Sequence, residues 1–232
     1  VSRGLTTATA QFYGILETPE KTYFSYHHPE DSLVPIAAKI RLPDKQHSIV
    51  GEWKDAGLFG QHLFSAGSSK YVTITEGEFD AAASYQMQGS KYPVVSVRNG
   101  ASGALKDCKA AYEWLDSFDA IVISMDSDEP GQKAAREIAE LFGGKSAVMK
   151  NPPHYKDACD YLVANDTKGY ISAFWNAEKF VPDGIINGAS LWDEVNRPVE
   201  KSAVMYPWES LNKLTYGIRE AELVTITAGS GL

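Results

Sequence analysis

Cysteines are scarce in this sequence, and basic residues are outnumbered by acidic ones. The two cysteines, Cys108 and Cys159, lie far apart and form no C-x-x-C pair among the 232 residues. This excludes a zinc ribbon within the chain, and two isolated thiols fit a reducing compartment. The 30 acidic and 22 basic residues give a net charge of −8. That balance argues against a protein that coats DNA, but it is compatible with an enzyme that gathers carboxylates around metal ions.

Long apolar runs are also missing. No run is long enough to span a bilayer, and the first residues lack the apolar stretch of a signal peptide, so we expect no membrane partner. The sequence does not begin with Met, and it ends in a Gly-rich stretch over 227–232. From these two ends we expect a piece of a longer protein.

Short apolar segments alternate with helical patterns through the middle of the chain. Such alternation predicts an α/β fold, with a parallel sheet that carries helices on both faces. The predicted strands are 71–75, 94–97, 120–125 and 145–149, and the predicted helices are 80–88, 104–115 and 132–142.

The flanking regions differ from this middle part. Strand patterns at 22–26 and 34–42, separated by turns, predict a smaller α+β subdomain before the parallel sheet. Helices are predicted at 167–177 and 190–196, and a strand at 222–227. The predicted domains are 1–68, 69–165, 166–203 and 204–232.

Acidic side chains follow two of the predicted core strands. Glu76 stands directly after the strand 71–75, and Asp126 and Asp128 stand directly after the strand 120–125. Since open α/β sheets bind ligands at the carboxyl ends of their strands, these three carboxylates are expected at one edge. Their repulsion costs several kcal/mol unless cations neutralise it. Oxygen ligands without His or Cys favour Mg²⁺ or Mn²⁺.

Each acidic motif alone is weak. The segment from Glu76 to Asp80 could simply begin a helix, and the segment from Asp126 to Gly131 could be a solvated turn or a fragment of a calcium loop. The two motifs in this order, each after a core strand, are far more specific.

Together, Glu76-Gly77 and Asp126-Ser127-Asp128 resemble the Toprim domain shared by bacterial-type primases, topoisomerases and some nucleases. Over nearly the whole chain the sequence resembles the primase half of the T7-like phage primase–helicases, to which the mitochondrial replicative helicase is also similar. The segments that carry this wider resemblance are 3–5, 12–14, 56–60, 92–96, 99–102 and 156–158.

The resemblance implies a role for individual residues. Glu76 would be a catalytic residue and metal ligand, and Asp126 and Asp128 the metal-binding pair. Lys39 would take part in catalysis by binding nucleotide phosphates. Where related phage proteins carry further basic residues, this chain has Ser48 and Arg98, so we expect a redistribution of phosphate contacts. The further implied roles are supporting acidic positions at Glu78, Asp80 and Asp157, nucleotide binding by Lys45 and Arg41, and DNA binding by Arg3 and Arg98.

The resemblance also implies the reaction and the partners. The expected activity is that of a nucleotidyltransferase, a primase that joins ribonucleoside triphosphates into short RNA primers on single-stranded DNA. It would work beside a zinc-binding domain and a helicase motor of the same polypeptide, and with a replication polymerase, in the host cytoplasm or the mitochondrial matrix. Residues 211–224 resemble the start of a RecA-like motor, and 229–231 the start of a phosphate loop that lacks its Lys. The segment 190–196 resembles the linker helix of the family.

Two other functions are compatible with a Toprim domain. A nuclease or topoisomerase would leave the motor-like segment unexplained, and a strand-passing topoisomerase needs a nucleophilic Tyr in a separate domain. A non-catalytic remnant would serve only to bind DNA or to support helicase assembly. The presence of Glu76, Asp126 and Asp128 together favours the primase over both.

Overall fold

The computed structural model describes residues 2–30, 33–44, 46–182, 188–197, 202–218 and 222–229. The chain divides into two compact units, Val1–Asp183 and Gly184–Leu232. Within the described ranges, no helix is both long enough and apolar enough to cross a membrane.

The first unit begins with a helix and a four-stranded antiparallel sheet. The sheet confirms the predicted strands at 22–26 and 34–42, and it adds two strands that the sequence did not predict. The first of these has only three residues, and the other is exposed along its whole length, so neither shows an apolar alternation. The elements are α1 (Thr7–Phe12), β1 (Ile15–Glu17), β2 (Thr22–His27), β3 (Pro35–Arg41) and β4 (His47–Gly51), and the strands are ordered β1-β2-β3-β4.

A second sheet follows, and it confirms the predicted parallel α/β architecture. Its order is β6-β5-β7-β8-β9, in which β9 is an antiparallel edge strand and the other pairs are parallel. The elements are β5 (Tyr71–Thr75), α2 (Glu78–Met87), β6 (Val94–Ser96), α3 (Gly100–Ala110), α4 (Tyr112–Asp116), β7 (Ala120–Ser124), α5 (Glu129–Phe142), β8 (Ser146–Val148), α6 (Ala158–Val163), α7 (Thr167–Trp175) and β9 (Glu178–Lys179).

Alternate residues of the central strands enter two different cores. Ile121 and Ile123 of β7 pack with side chains of α3 and α5 on one face of the sheet. Val122, between them, packs into a second core on the other face. Phe24 of β2 and Phe79 of α2 belong to this second core and meet edge to face, with ring centroids 5.1 Å apart. The antiparallel sheet is therefore joined to the parallel sheet through α2.

Two predictions of local structure were wrong. The helix predicted at 104–115 is two helices, because the backbone leaves the helical conformation at Ala111. The strand predicted at 222–227 is not formed, and the side chains of Leu223 and Ile226 are 93% and 70% exposed. A strand needs neighbours that satisfy its backbone and cover its apolar face, and the described part of the second unit provides no sheet for it. That unit contains the short helices α8 (Trp192–Val195) and α9 (Glu209–Thr215).

Gly131, in the first turn of α5, controls how closely this helix approaches the loop after β7. A Cβ atom at Gly131 would lie 2.3 Å from the carbonyl oxygen of Asp126. Gly131→Ala should therefore destabilise the protein by about 2 kcal/mol, as overpacking does, although alanine is the better helix former. Urea unfolding monitored by circular dichroism measures this loss of stability.

Gly144→Ala is the matched control, because no atom lies within 4 Å of a Cβ at that position. It should change the free energy of unfolding by less than about 0.5 kcal/mol. Equal effects of the two substitutions would contradict the close approach of α5 to the loop.

Candidate active site

The carboxyl ends of β5 and β7 bring Glu76 and Asp126 to one edge of the parallel sheet. The two strands are neighbours in parallel register, with Thr75 opposite Ser124. Burial raises the pKa of Glu76, and the charge of Asp126 raises it further, while hydrogen bonds from the backbone N–H groups of Ala101 and Asp126 lower it. The Oε2 atom of Glu76 is buried and has no hydrogen-bond partner among the residues that the structure describes. A buried carboxylate oxygen without a donor fits a ligand for a cation.

Lys156 neutralises the pair of aspartates, and the sequence did not predict this. Its Nζ atom lies 2.9 Å from Oδ2 of Asp126 and 3.0 Å from Oδ2 of Asp128. The hydrogen bond from Lys156 lowers the pKa of Asp128. Burial raises the pKa of Asp126, although Lys156 opposes that rise. The only signal for Lys156 was its place in the segment 156–158, which carries part of the family resemblance.

The backbone of Lys156 is also fixed to the loop between the two aspartates. Its carbonyl oxygen accepts hydrogen bonds from the backbone N–H of Ser127 at 3.0 Å and from the Ser127 hydroxyl at 3.1 Å. Asn151 donates to the same oxygen at 3.2 Å. On the other side of the loop, Asp128 caps α5 by accepting the N–H of Gly131 at 3.0 Å. The metal-binding pair predicted from the sequence therefore lies on a loop that is held from two directions.

A second acidic group lies at the start of α2 and α6. One ligand atom each from Asp80, Asp157 and Cys159 lies within 4.8 Å of the others, so these three residues could hold a metal ion. Burial, followed by the charge of Asp157, raises the pKa of Asp80 to about 8. Asp80 also accepts the N–H of Cys159 at 3.1 Å. A Cβ at position 77 would lie 2.7 Å from Oδ2 of Asp80, so glycine at this turn leaves room for the carboxylate.

Glu78 and Lys39 form a mostly buried ion pair between α2 and β3. Oε1 of Glu78 accepts hydrogen bonds from the hydroxyl of Tyr26 at 2.6 Å and from Nζ of Lys39 at 2.7 Å. Lys39 also donates to the carbonyl oxygen of Arg98 at 3.0 Å, and its side chain is 16% exposed. The structure thus brings these two predicted site residues together, with Glu78 bound to the antiparallel sheet.

The predicted basic residues occupy different surroundings. The guanidinium of Arg98 pairs with Asp107 at 2.9 Å and also donates to backbone carbonyl oxygens. Arg3 and Arg41 lie over the ring of Phe79, at 4.7 and 5.9 Å from its centroid, and both line an open cleft of about 280 Å³. Lys45 lies outside the described residues.

Several known proteins are similar to this chain. A family model described as Toprim-like matches residues 73–162. The DNA helicase/primase of Enterobacteria phage T3 is 35% identical over 238 residues, and the match covers all of this chain but only 41% of that protein. The chain therefore spans about two fifths of the length of this relative.

Two solved structures of the bacteriophage T7 system have the same fold. The crystal structure of the primase fragment of the T7 primase–helicase is 34% identical with a TM-score of 0.66, and the match covers 75% of this chain and 72% of that chain. A structure of the T7 lagging-strand DNA polymerase with primase domains bound to an RNA/DNA hybrid and dTTP gives 34% identity and a TM-score of 0.67, with 77% and 91% coverage. Because it shares a third of its residues with these primase domains and covers most of their length, the chain belongs to the T7-like phage primase–helicase family and carries the Toprim-like domain of its primase part.

Proposed function

We propose that this chain is the catalytic core of a DNA primase, which joins ribonucleoside triphosphates into short RNA primers on a single-stranded DNA template. The observation that carries the proposal is the placement of Glu76, Asp126 and Asp128 at the carboxyl edge of neighbouring parallel strands. One buried oxygen of Glu76 has no hydrogen-bond donor among the residues that the structure describes. The related T7 primase domains are bound to an RNA/DNA hybrid and interact with a DNA polymerase. We extend both partners to this protein.

Glu76, Asp126 and Asp128 would hold the divalent cation, with Asp80 and Asp157 in support. Their oxygen donors suit Mg²⁺ or Mn²⁺. When bound, the ion would neutralise charge on the triphosphate and lower the pKa of the attacking hydroxyl.

The side chains of the protein would supply proton transfer and phosphate binding. In primer extension, the 3′-oxygen forms a bond to the α-phosphorus of the incoming nucleotide, and the bond to pyrophosphate breaks. The proton of the 3′-hydroxyl would pass to Glu76, which the family resemblance marks as a possible acid or base. Lys39, Arg41 and Lys45 would bind the triphosphate.

The proposed DNA contacts are not equally well placed. Arg3 lines the open cleft beside Phe79 and can reach a phosphate of the nucleic acid. Arg98 is the weaker candidate, because Asp107 and backbone carbonyl oxygens already take its donors.

We also propose the domain division of 1–68, 69–165, 166–203 and 204–232. In this division the second domain would be catalytic and the last would begin the helicase motor. The zinc-binding domain and the rest of the motor would belong to the same polypeptide, which would act in the cytoplasm of a phage host.

One observation favours a second function. The ammonium of Lys156 already neutralises Asp126 and Asp128. A non-catalytic remnant that only binds DNA could therefore keep both aspartates without binding a metal ion. Incorporation of labelled ribonucleotides on single-stranded DNA separates the two functions. Metal-dependent incorporation supports the primase function. If no divalent cation supported incorporation, the non-catalytic function would be favoured instead.

Asp126→Asn should abolish primer synthesis without unfolding the protein. The amide keeps the shape of the side chain but removes its charge as a metal ligand. We expect ribonucleotide incorporation to fall by more than about 100-fold. This exceeds the loss typical of residues that only hydrogen-bond to metal ligands. A thermal melt checks that the fold is kept.

Asp116→Asn is the matched control for charge. Asp116 is a partly exposed carboxylate that pairs with Lys145 at 2.8 Å, in α4 rather than at the loops that carry Glu76 and Asp126. It should leave incorporation unchanged. Full activity of Asp126→Asn, or an equal loss in both variants, would refute the proposed metal site.

The double variant Lys39→Gln/Glu78→Gln tests whether Lys39 binds nucleotide. The single change Lys39→Gln leaves the buried carboxylate of Glu78 without a cationic partner, so it should destabilise the protein by about 3 kcal/mol. The double variant removes both charges and should regain most of that stability. If Lys39 binds phosphates, the double variant still shows a raised apparent KM for ribonucleotides, measured by steady-state kinetics. A wild-type KM in the double variant would mean that Lys39 serves only the ion pair.

The raised pKa of Asp80 predicts a pH dependence of stability in metal-free buffer. Asp80 titrates near 3.8 when unfolded and at about 8 when folded, so the folded state binds its proton more tightly. The contribution of this group is thus fully present below pH 4 and is lost as the pH rises towards 8. Urea unfolding in EDTA measures the decline of the unfolding free energy with rising pH. Asp80→Asn should flatten this decline, whereas Asp119→Asn, on an exposed turn, should leave it unchanged. If the unfolding free energy of Asp80→Asn declined with pH as steeply as that of the wild type, Asp80 would not be the source of the pH dependence.

A further inference from the structure

Lys156 contacts the same two oxygen atoms that a divalent cation would use. Its Nζ atom lies 2.9 Å from Oδ2 of Asp126 and 3.0 Å from Oδ2 of Asp128. A cation bound between these carboxylates would lie within a few ångströms of the ammonium, and like charges at that separation repel strongly. The ammonium and the cation therefore cannot occupy the pair together.

The side chain of Lys156 can leave without disturbing the fold around it. It is 55% exposed, whereas the side chain of Asp126 is only 15% exposed. Its backbone is anchored independently, because its carbonyl oxygen accepts from Ser127 and Asn151 and its N–H donates to Asp160 at 2.7 Å. The loop that carries the two aspartates would thus keep its shape while the ammonium swings into solvent.

We infer that Lys156 is a built-in competitor of the divalent cation: it neutralises Asp126 and Asp128 before metal binds, and it must leave both carboxylates when metal binds. This inference rests on the proposed metal site. Lys156 is a positioning residue in this role, because it acts through the two aspartates. It lets the acidic loop fold without metal, and it sets the metal concentration at which the site fills.

The test is a titration of the full chain with Mn²⁺, in which electron paramagnetic resonance counts the free ion. Lys156→Met removes the ammonium and keeps most of the apolar stem. Its Kd for Mn²⁺ should be about tenfold lower than that of the wild type, since two partly exposed ion pairs no longer compete. Lys156→Arg keeps a cation at this position and should bind Mn²⁺ no more tightly than the wild type.

Lys145→Met is the matched control. Lys145 is a partly exposed lysine that also pairs with an aspartate, Asp116 at 2.8 Å, but it does not contact Asp126 or Asp128. The Kd for Mn²⁺ should be unchanged in this variant. Equal tightening in both methionine variants would reduce the effect to overall charge and overturn the inference.

Thermal melts give a second readout that does not depend on activity. In EDTA, Lys156→Met should melt at a lower temperature than the wild type, because Asp126 and Asp128 then repel each other without a counter-ion. Saturating Mn²⁺ should raise its melting temperature by more than it raises that of the wild type.

The outcomes separate this inference from the proposed metal site. If Asp126→Asn loses Mn²⁺ binding but Lys156→Met has the same Kd for Mn²⁺ as the wild type, or a higher one, the competition is overturned. The proposed metal site is then still supported. An absence of Mn²⁺ binding that depends on Asp126 overturns both.

Discussion

Carboxylates follow the ends of two neighbouring parallel strands, and the surrounding structure must offset the mutual repulsion of their charges. Glu76 follows directly after β5, Asp126 follows β7 after one intervening residue, and Asp128 follows two residues later. Burial makes the repulsion stronger, and it raises the pKa of both Glu76 and Asp126. Lys156 offsets this cost for the aspartates by placing one ammonium between them. Glu76 receives no such partner and keeps one buried oxygen without a donor among the described residues.

The remaining acidic residues at this edge are divided between two tasks. Glu78 is held by Tyr26 and Lys39, so its charge joins the antiparallel sheet to α2. Asp80 points in the other direction, towards Asp157 and Cys159, where burial favours its protonated form. One short segment after β5 therefore supplies a candidate ligand, a structural ion pair and a buried acid, and Gly77 provides the space in which Asp80 fits.

Most of the parallel sheet could be predicted from the sequence, because β5 consists of β-branched and aromatic residues, β7 is mostly apolar, and an acidic residue follows each strand within two positions. The same local pattern predicted that Glu76 and Asp126 would share an edge. The ion pair of Lys156 could not be predicted, since that residue lies about thirty positions after Asp126 and only the folded chain brings the two together. The strand predicted at 222–227 failed for a related reason. Its apolar pattern is real, but a strand also needs partner strands, and the described part of the second unit offers none.

We propose that this carboxylate edge is a cation site in which the ammonium of Lys156 neutralises Asp126 and Asp128 until a metal ion binds. Anomalous diffraction from crystals soaked in MnCl₂ tests it most directly, because manganese scatters anomalously and lysine does not. We predict a manganese peak within bonding distance of Glu76 and Asp126, with the ammonium of Lys156 moved away from Asp126 and Asp128. A map with no peak at this edge, and with Lys156 still bridging both aspartates at saturating manganese, would contradict both the cation site and the displacement of Lys156.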